Sequence, residues 1–302
     1  MHVPAYVGLL EGGELDERVV ALKEKMRRCT VCPHHCGVDR LAGERGFCRS
    51  GARAVVNGYG PHFGEEEVLV GTSGSGTIFF SHCNLQCVFC QNCDISYYGR
   101  GREVDPAELC SIMIVLQEKG CHNINLVSPS HVVPQVMEAV ALAAAKGLII
   151  PIVYNTGGFD EVETLRLLDG VVDIYMPDIK FGDNETARKY TMSAGYFDAA
   201  KAAVREMHRQ VGDLQVDESG IAVRGLLVRH LVMPGGLANT EKVMRFIADE
   251  LSKDTMVNVM SQYYPAHRAY AFPELSRRPT VREYRMAVET AMKAGLRRLI
   301  TD

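Results

Sequence analysis

The stretch Ile78-Phe79-Phe80-Ser81-His82-Cys83-Asn84-Leu85-Gln86-Cys87-Val88-Phe89-Cys90-Gln91-Asn92 runs from an apolar strand into three cysteines spaced C-x3-C-x2-C, then into a polar loop. Three thiolates at that spacing suit an iron–sulfur cubane, which has four irons and so keeps one of them free of protein sulfur. A free iron can take a small molecule through a nitrogen and an oxygen. An electron passed through the cluster can then break a bond in that molecule. Cys93 follows Cys90 by three residues, so the run also reads C-x3-C-x2-C-x2-C. With a fourth thiolate the cluster would be closed and the protein an iron–sulfur electron carrier. The enzyme-like organisation of the remaining chain favours the open cluster, with Cys93 a bystander near its mouth.

Downstream of this loop the chain alternates strand and helix, which predicts a parallel sheet. Strands are expected at 77–81, 123–127, 148–154, 171–176, 223–233 and 256–260. Asp105-Pro106-Ala107-Glu108 and Thr280-Val281-Arg282-Glu283 each place a carboxylate three residues after an N-cap, the capping-box pattern. Pro106 suits the first helical position, and Gly120 and Gly147 suit helix stops. Six βα units result, two short of a closed eight-stranded barrel.

Ligands collect at the carboxyl ends of parallel strands. The segments found there are Ser128-Pro129-Ser130-His131, Asn155-Thr156-Gly157-Gly158-Phe159, Met176-Pro177-Asp178-Ile179-Lys180, Arg229-His230-Leu231-Val232-Met233-Pro234-Gly235-Gly236 and Ser261-Gln262-Tyr263-Tyr264-Pro265-Ala266-His267. Ser130 has two readings, a ligand contact or the cap of the next helix. Gln262 and His267 either reach the open mouth or are structural. A buried histidine on a strand is more often a satisfied core residue than a ligand, and His230 is expected to be one.

Upstream, a helix is expected at 15–28, followed by Cys29, Cys32, Cys36 and Cys48 spaced C-x2-C-x3-C-x11-C. Four cysteines within twenty residues can close a tetrahedral zinc site or a second four-iron cluster, and the spacing does not separate the two. His34 and His35 inside this loop are expected to face solvent or support the ligands. Residues 52–76 read as a connector, with Gly58-Tyr59-Gly60-Pro61 a turn cluster and 71–76 a flexible Gly-rich lead-in. The Gly-rich run lacks the Gly-Lys-Ser/Thr ending of a phosphate loop. The expected division is 1–64 for helix, cysteine module and connector, and 65–302 for the barrel.

The 302 residues, 47% hydrophobic, suffice for one large α/β unit with a smaller appendage. A net charge of −4 without a basic block points away from nucleic acid or an anionic membrane as partner. The apolar run 141–153 is broken by Lys146, Gly147 and Pro151 and is too short to span a bilayer. The start shows no secretory pattern. Ten cysteines without an export signal are expected to be metal ligands and not disulfides. The expected location is the cytoplasm of an anaerobic or well-reduced cell.

The string C-N-L-Q-C-V-F-C-Q-N at 83–92 resembles the cluster loop of radical S-adenosylmethionine (SAM) enzymes, and more narrowly the branch of pyruvate formate-lyase activating-protein homologues. The resemblance implies a partial (β/α)6 barrel and an oxidoreductase. A [4Fe-4S] cluster on Cys83, Cys87 and Cys90 would reductively cleave SAM to methionine and a 5′-deoxyadenosyl radical, which abstracts a hydrogen atom. It implies that Phe89 packs near the adenine and that Asp178 and Lys180 match an Asp-x-Lys motif, the carboxylate holding the SAM ammonium or ribose and the lysine its carboxylate. Asn155, Thr156 and Gly157 resemble an Asp-Thr-Asn-Gly segment. Arg229 matches an arginine near the cofactor. Ser128 stands where the superfamily usually has Gly-Gly-Glu, a departure that leaves its role open. The resemblance further implies a monovalent cation near Asn155, Thr156, Met176 and Asp178, a flavodoxin- or ferredoxin-type electron donor, and a glycyl-radical enzyme or other protein as substrate.

Overall fold

The computed structural model describes residues 3–301. Two helices, α1 (Ala5–Glu11) and α2 (Glu14–Arg27), lead into the first cysteine loop. In α2 the acidic residues Glu14, Asp16 and Glu17 fill the first turn and Lys25 and Arg27 the last, the order the helix dipole favours. Leu15, Val19, Leu22 and Met26 are its buried residues, spaced as one helical stripe.

After the loop come β1 (Ala54–His62), α3 (Glu67–Val70), β2 (Ser75–Phe80), α4 (Cys93–Ser96) and β3 (Arg102–Val104). The alternating region holds α5 (Pro106–Glu118), β4 (Ile124–Val127), α6 (Val133–Ala145), β5 (Ile152–Thr156), α7 (Val162–Arg166) and β6 (Ile174–Pro177). It continues with α8 (Asn184–Thr191), α9 (Tyr196–Val211), β7 (Gln215–Val216), β8 (Ala222–Leu231), α10 (Thr240–Glu250), β9 (Met256–Met260), α11 (Val281–Lys293) and β10 (Arg298–Thr301).

The strands form one sheet in the order β10-β9-β8-β6-β5-β4-β2-β1-β3, with β7 beside β8. From β2 to β10 the path is parallel, and β1 and β3 are antiparallel additions at one edge. The six expected βα strands are β2, β4, β5, β6, β8 and β9, and β10 adds a seventh parallel strand after α11. Both expected capping boxes form, Asp105 with Glu108 and Thr280 with Glu283.

The connector reading of 52–76 is overturned. Gly58, Tyr59, Gly60 and Pro61 pair with Phe79, Ile78, Thr77 and Gly76 inside β1. β3 covers only residues 54–56 of β1, so 58–62 lie on a free edge, where a proline removes no ladder hydrogen bond. The register shifts between Val56 and Gly58, as at a β-bulge, where glycine is at home. Of the two readings of Ser130, the helix cap is not realised. The N-cap of α6 is Val132, without a side-chain bond, and the Ser130 Oγ lies instead 2.9 Å from Thr156 Oγ1.

Two apolar clusters mark the two faces of the sheet. Ile124, Leu126, Tyr154, Tyr175, Leu226 and Val228 belong to the large cluster shared with the helices. Val153, Ile174, Met176 and Leu227 alternate with them and join Leu69 of α3 in a second cluster. Side chains alternate across a strand, so the second cluster is the concave interior, and α3 plugs it. The Asn123 amide donates to Leu69 O at 2.9 Å and accepts from the Ser75 hydroxyl at 2.6 Å, which anchors the plug at the amino ends of β2 and β4. None of the ten cysteines forms a disulfide, and no helix among the described residues is long and apolar enough to cross a membrane.

Candidate active site

The cysteine loop after β2 is pinned from several sides. Gln86 N and Val88 N donate to Thr191 O and Tyr190 O at the end of α8, and Arg268 N donates to Val88 O at 2.8 Å. The Asn84 side chain donates to Phe159 O at 2.5 Å, and the His34 Nε2–H donates to Asn84 O at 2.8 Å. Eight residues that could not pack by themselves are thus held by four other parts of the chain. Within the loop, Leu85 N donates to Cys83 Sγ at 3.3 Å and the Cys90 sulfur lies 3.1 Å from Ser96 Oγ. Cys83, Cys87 and Cys90 are electrostatic neighbours. Burial pushes the Cys83 thiol up to about 12, against the Leu85 N–H and the Lys180 charge.

Among the described residues, no three His, Cys, Asp or Glu side chains converge as a metal-ligand set. The donor set still fits a cluster. Three sulfurs share one loop, are only partly buried, and receive an N–H and a cation, the partners a thiolate needs. Cys93 opens α4 just beyond them.

The ends of β5 and β6 face this loop. A Cβ on Gly157 would come 2.8 Å from Leu85 Cδ1 and 3.6 Å from Lys180 Cε, so any larger residue there would displace the Leu85 side chain of the cysteine loop. Lys180 forms an ion pair with Asp178. Burial works against the ammonium, but Asp178 and the Cys87 thiol outweigh it and keep Lys180 charged. The Tyr196 hydroxyl gathers the two strand ends, accepting from Lys180 N at 2.9 Å with Gly157 O at 2.9 Å and Asp178 O at 3.1 Å.

Other expected residues are engaged otherwise. The Thr156 hydroxyl donates to Asp160 at 2.6 Å and accepts from Gly158 N at 3.2 Å, while Tyr154 donates to the other Asp160 oxygen at 2.8 Å. The Phe89 ring is buried, edge-on to Phe181 and Tyr263 at 5.9 and 6.0 Å between centroids. Ser128 takes a positive φ of 57° while its N–H donates to Asn155 O at 2.8 Å. Gln262 and His267 border the cysteine loop: Gln91 donates to Gln262 O at 3.3 Å, and the His267 ring lies 4.8 Å from that of Tyr97.

Arg229 points to carboxylates that the sequence did not single out. Its Nε donates to Glu66 at 2.8 Å, its Nη2 to Glu66 at 2.5 Å and also to Glu65, and Asn258 donates to Glu66 at 2.7 Å. Burial would raise the Glu66 carboxyl, but Arg229 outweighs it and holds the group below the usual range. Glu66 caps α3, so the interior plug carries this network on its leading end. The only local signal was the run Gly64-Glu65-Glu66-Glu67, which resembles any solvated turn.

The first cysteine loop packs on the second. His34 stacks on Phe47 with centroids 3.8 Å apart, and Gln86 Nε2 donates to Phe47 O at 3.4 Å. His34 is therefore wedged between the loops, and His35 pairs with Glu161. Cys29, Cys36 and Cys48 are electrostatic neighbours of Cys32, and Phe47 N donates to Cys36 Sγ at 3.4 Å. Arg40 is buried with its guanidinium on backbone oxygens alone: Gly51 O at 2.8 Å and His131 O at 2.8 Å. The His131 Nε2–H in turn donates to Ser81 O at 2.9 Å, which ties the first loop to the residue that enters the second.

Residues 77–247 match the radical SAM superfamily. Uncharacterized protein MJ0674 of Methanocaldococcus jannaschii is 36% identical over 290 residues, covering 93% of this chain and 79% of the relative. Uncharacterized protein MJ0808 of the same organism is 26% identical over 299 residues, covering 91% and 81%. Among solved structures, HydG, a maturase of the [FeFe]-hydrogenase, superposes with a TM-score of 0.50 at 13% identity. The match covers 73% of this chain and 49% of that one, so the chain spans about half of HydG. That likeness is one of fold.

Proposed function

The chain belongs to the radical SAM superfamily, and we propose on that premise that Cys83, Cys87 and Cys90 hold its [4Fe-4S] cluster, with SAM between the cluster and the ends of β5 and β6. A cluster with one iron free of protein sulfur supplies the electron that cleaves SAM to methionine and a 5′-deoxyadenosyl radical, the hydrogen-abstracting species. The supporting observation is the pinned loop with the charged Lys180 against its thiols. Lys180 offsets thiolate charge and offers an ammonium to a carboxylate, and Asp178 offers an acceptor to an ammonium or a ribose hydroxyl. Tyr196 keeps both at fixed height by tying their backbone to Gly157. Gln262 and His267 border the mouth, where they can screen the site from water.

For the cysteines at 29, 32, 36 and 48, which are electrostatic neighbours around Cys32, we infer a closed zinc or second iron–sulfur centre that would brace the active loop through His34 and Phe47. Activation of a glycyl-radical enzyme rests on the resemblance of the 83–92 string alone. Anaerobic reconstitution with iron and sulfide, followed by SAM and dithionite, tests the reading. Methionine and 5′-deoxyadenosine are expected in equal amounts, and both should be lost in Cys87→Ala. A reconstituted protein that leaves SAM intact would sink it.

A further inference from the structure

Two guanidiniums of the first cysteine loop have no counter-ion. Arg40 is 1% exposed, and its guanidinium reaches only Gly51 O and His131 O, both at 2.8 Å. Arg49, directly after Cys48, donates to Tyr97 O and lies 5.1 Å from the Tyr97 ring centroid, while its Nε is buried without a partner. Among the described residues these partners are backbone oxygens and a ring, and none is a carboxylate.

A buried cation without an anion is costly, so the loop is built around negative charge that its carboxylates do not supply. Its cysteines can supply it. Cys29, Cys36 and Cys48 are electrostatic neighbours of Cys32. Cys36 receives the Phe47 N–H at 3.4 Å, and a Cβ on Gly46 would come 2.7 Å from its sulfur. Four thiolates on a zinc ion or on an iron–sulfur cubane leave a net anion.

The place of this anion separates iron from zinc. Cys48 acts electrostatically on Cys83 as well as on Cys32, so it faces both sulfur sets. Two hydrogen bonds join residues that flank the two sets. His34, between Cys32 and Cys36, donates to the carbonyl of Asn84, beside Cys83, at 2.8 Å. Gln86, beside Cys87, donates to the carbonyl of Phe47, beside Cys48, at 3.4 Å. The loops are therefore in direct contact, and two anionic centres held in them repel each other. A zinc staple would hold the first loop equally well away from the second, without that repulsion. Passing an electron requires the two centres to be neighbours. Cys36 is only partly buried and residues 41–45 are exposed, so a donor can reach the first centre while SAM occupies the second.

We propose that Cys29, Cys32, Cys36 and Cys48 hold a second [4Fe-4S] cluster, which relays the electron to the cluster on Cys83, Cys87 and Cys90. A one-electron donor of the flavodoxin or ferredoxin class reduces the first cluster, which is reoxidised as the second takes the electron. That electron breaks the C–S bond of SAM and leaves methionine and the 5′-deoxyadenosyl radical. The proposal rests on the radical SAM reading and deepens it.

The test uses the full chain, reconstituted anaerobically with iron and sulfide, beside a Cys32→Ala/Cys48→Ala double variant. Metal analysis should find about eight irons and no zinc in the wild type and about four irons in the variant. Electron paramagnetic resonance of the fully reduced wild type should show two cluster spins that broaden each other. The variant should show one unbroadened signal that still shifts on adding SAM, which separates a lost relay from a lost fold. Reduction of the SAM cluster by reduced flavodoxin, followed by stopped-flow absorbance, should slow about tenfold or more in the variant. If the variant assembles no cluster, the wild-type metal count and spectrum still decide. Zinc or no metal in the first loop, unbroadened signals in the fully reduced wild type, or equal reduction rates in the two proteins overturns the proposal. A wild-type cluster that ignores SAM removes the radical SAM reading instead, whereas zinc beside a SAM-responsive cluster removes the relay alone.

Discussion

His230 has no free edge for a ligand. Its Nδ1–H donates to Ile179 O at 2.7 Å and its Nε2 accepts from the Thr240 hydroxyl at 2.9 Å. Burial pushes its pKa down to about 4. The folded value lies below the unfolded value of about 6.5, so the stability contribution is complete above about pH 6.5. It is lost as pH falls from there towards 4, at about 1.4 kcal/mol per pH unit. Between pH 7 and pH 5 the urea midpoint of the wild type should fall by more than that of His230→Gln, and equal falls would contradict the assignment. At this scale the sequence shows what is local. The cysteines announce themselves by spacing, and Asp178 and Lys180 by their place after a strand. Arg229 was legible as a strand-end residue, but its partners lie 163 and 164 residues away, a pairing that no local pattern carries.

Elements with chemical punctuation were readable from the sequence, and those without it were not. The box of α11 rests on Thr280 and Glu283, and Glu283 also accepts from Gly235 N at 2.7 Å and pairs with Arg277. The Arg277 hydrogen bonds hold the Glu283 carboxyl well below the usual range. Thr280→Ala should cost about 1 kcal/mol, the usual worth of an N-cap. Glu283→Ala should cost about 2 kcal/mol, because it also frees the turn after β8 from α11. Urea unfolding of both variants checks the order, and a Thr280→Ala loss equal to or above that of Glu283→Ala would contradict it. β1 escaped the sequence reading because Gly58, Gly60 and Pro61 read as a turn, although a free edge tolerates all three. β10 escaped because four residues at the chain end have no alternation long enough to read, and only parallel pairing with β9 makes them a strand.

At the scale of the whole molecule, an open sheet wraps around a plug. The outer face buries a large apolar core under helices. The inner face carries a small apolar floor and, above it, the buried charges of Glu65, Glu66 and Arg229. The radical SAM superfamily match covers residues 77–247, which include the parallel strands β4, β5, β6 and β8, while the first cysteine loop, the plug and β9 and β10 lie outside it. The central claim is that one corner of the cluster on Cys83, Cys87 and Cys90 is free of protein sulfur. Electron paramagnetic resonance of the dithionite-reduced, reconstituted protein tests it most directly, before and after SAM, in wild type and in Cys93→Ala. The account predicts a cluster signal that shifts on adding SAM in both proteins. A signal indifferent to SAM, together with loss of the cluster in Cys93→Ala, would show four protein ligands and contradict it.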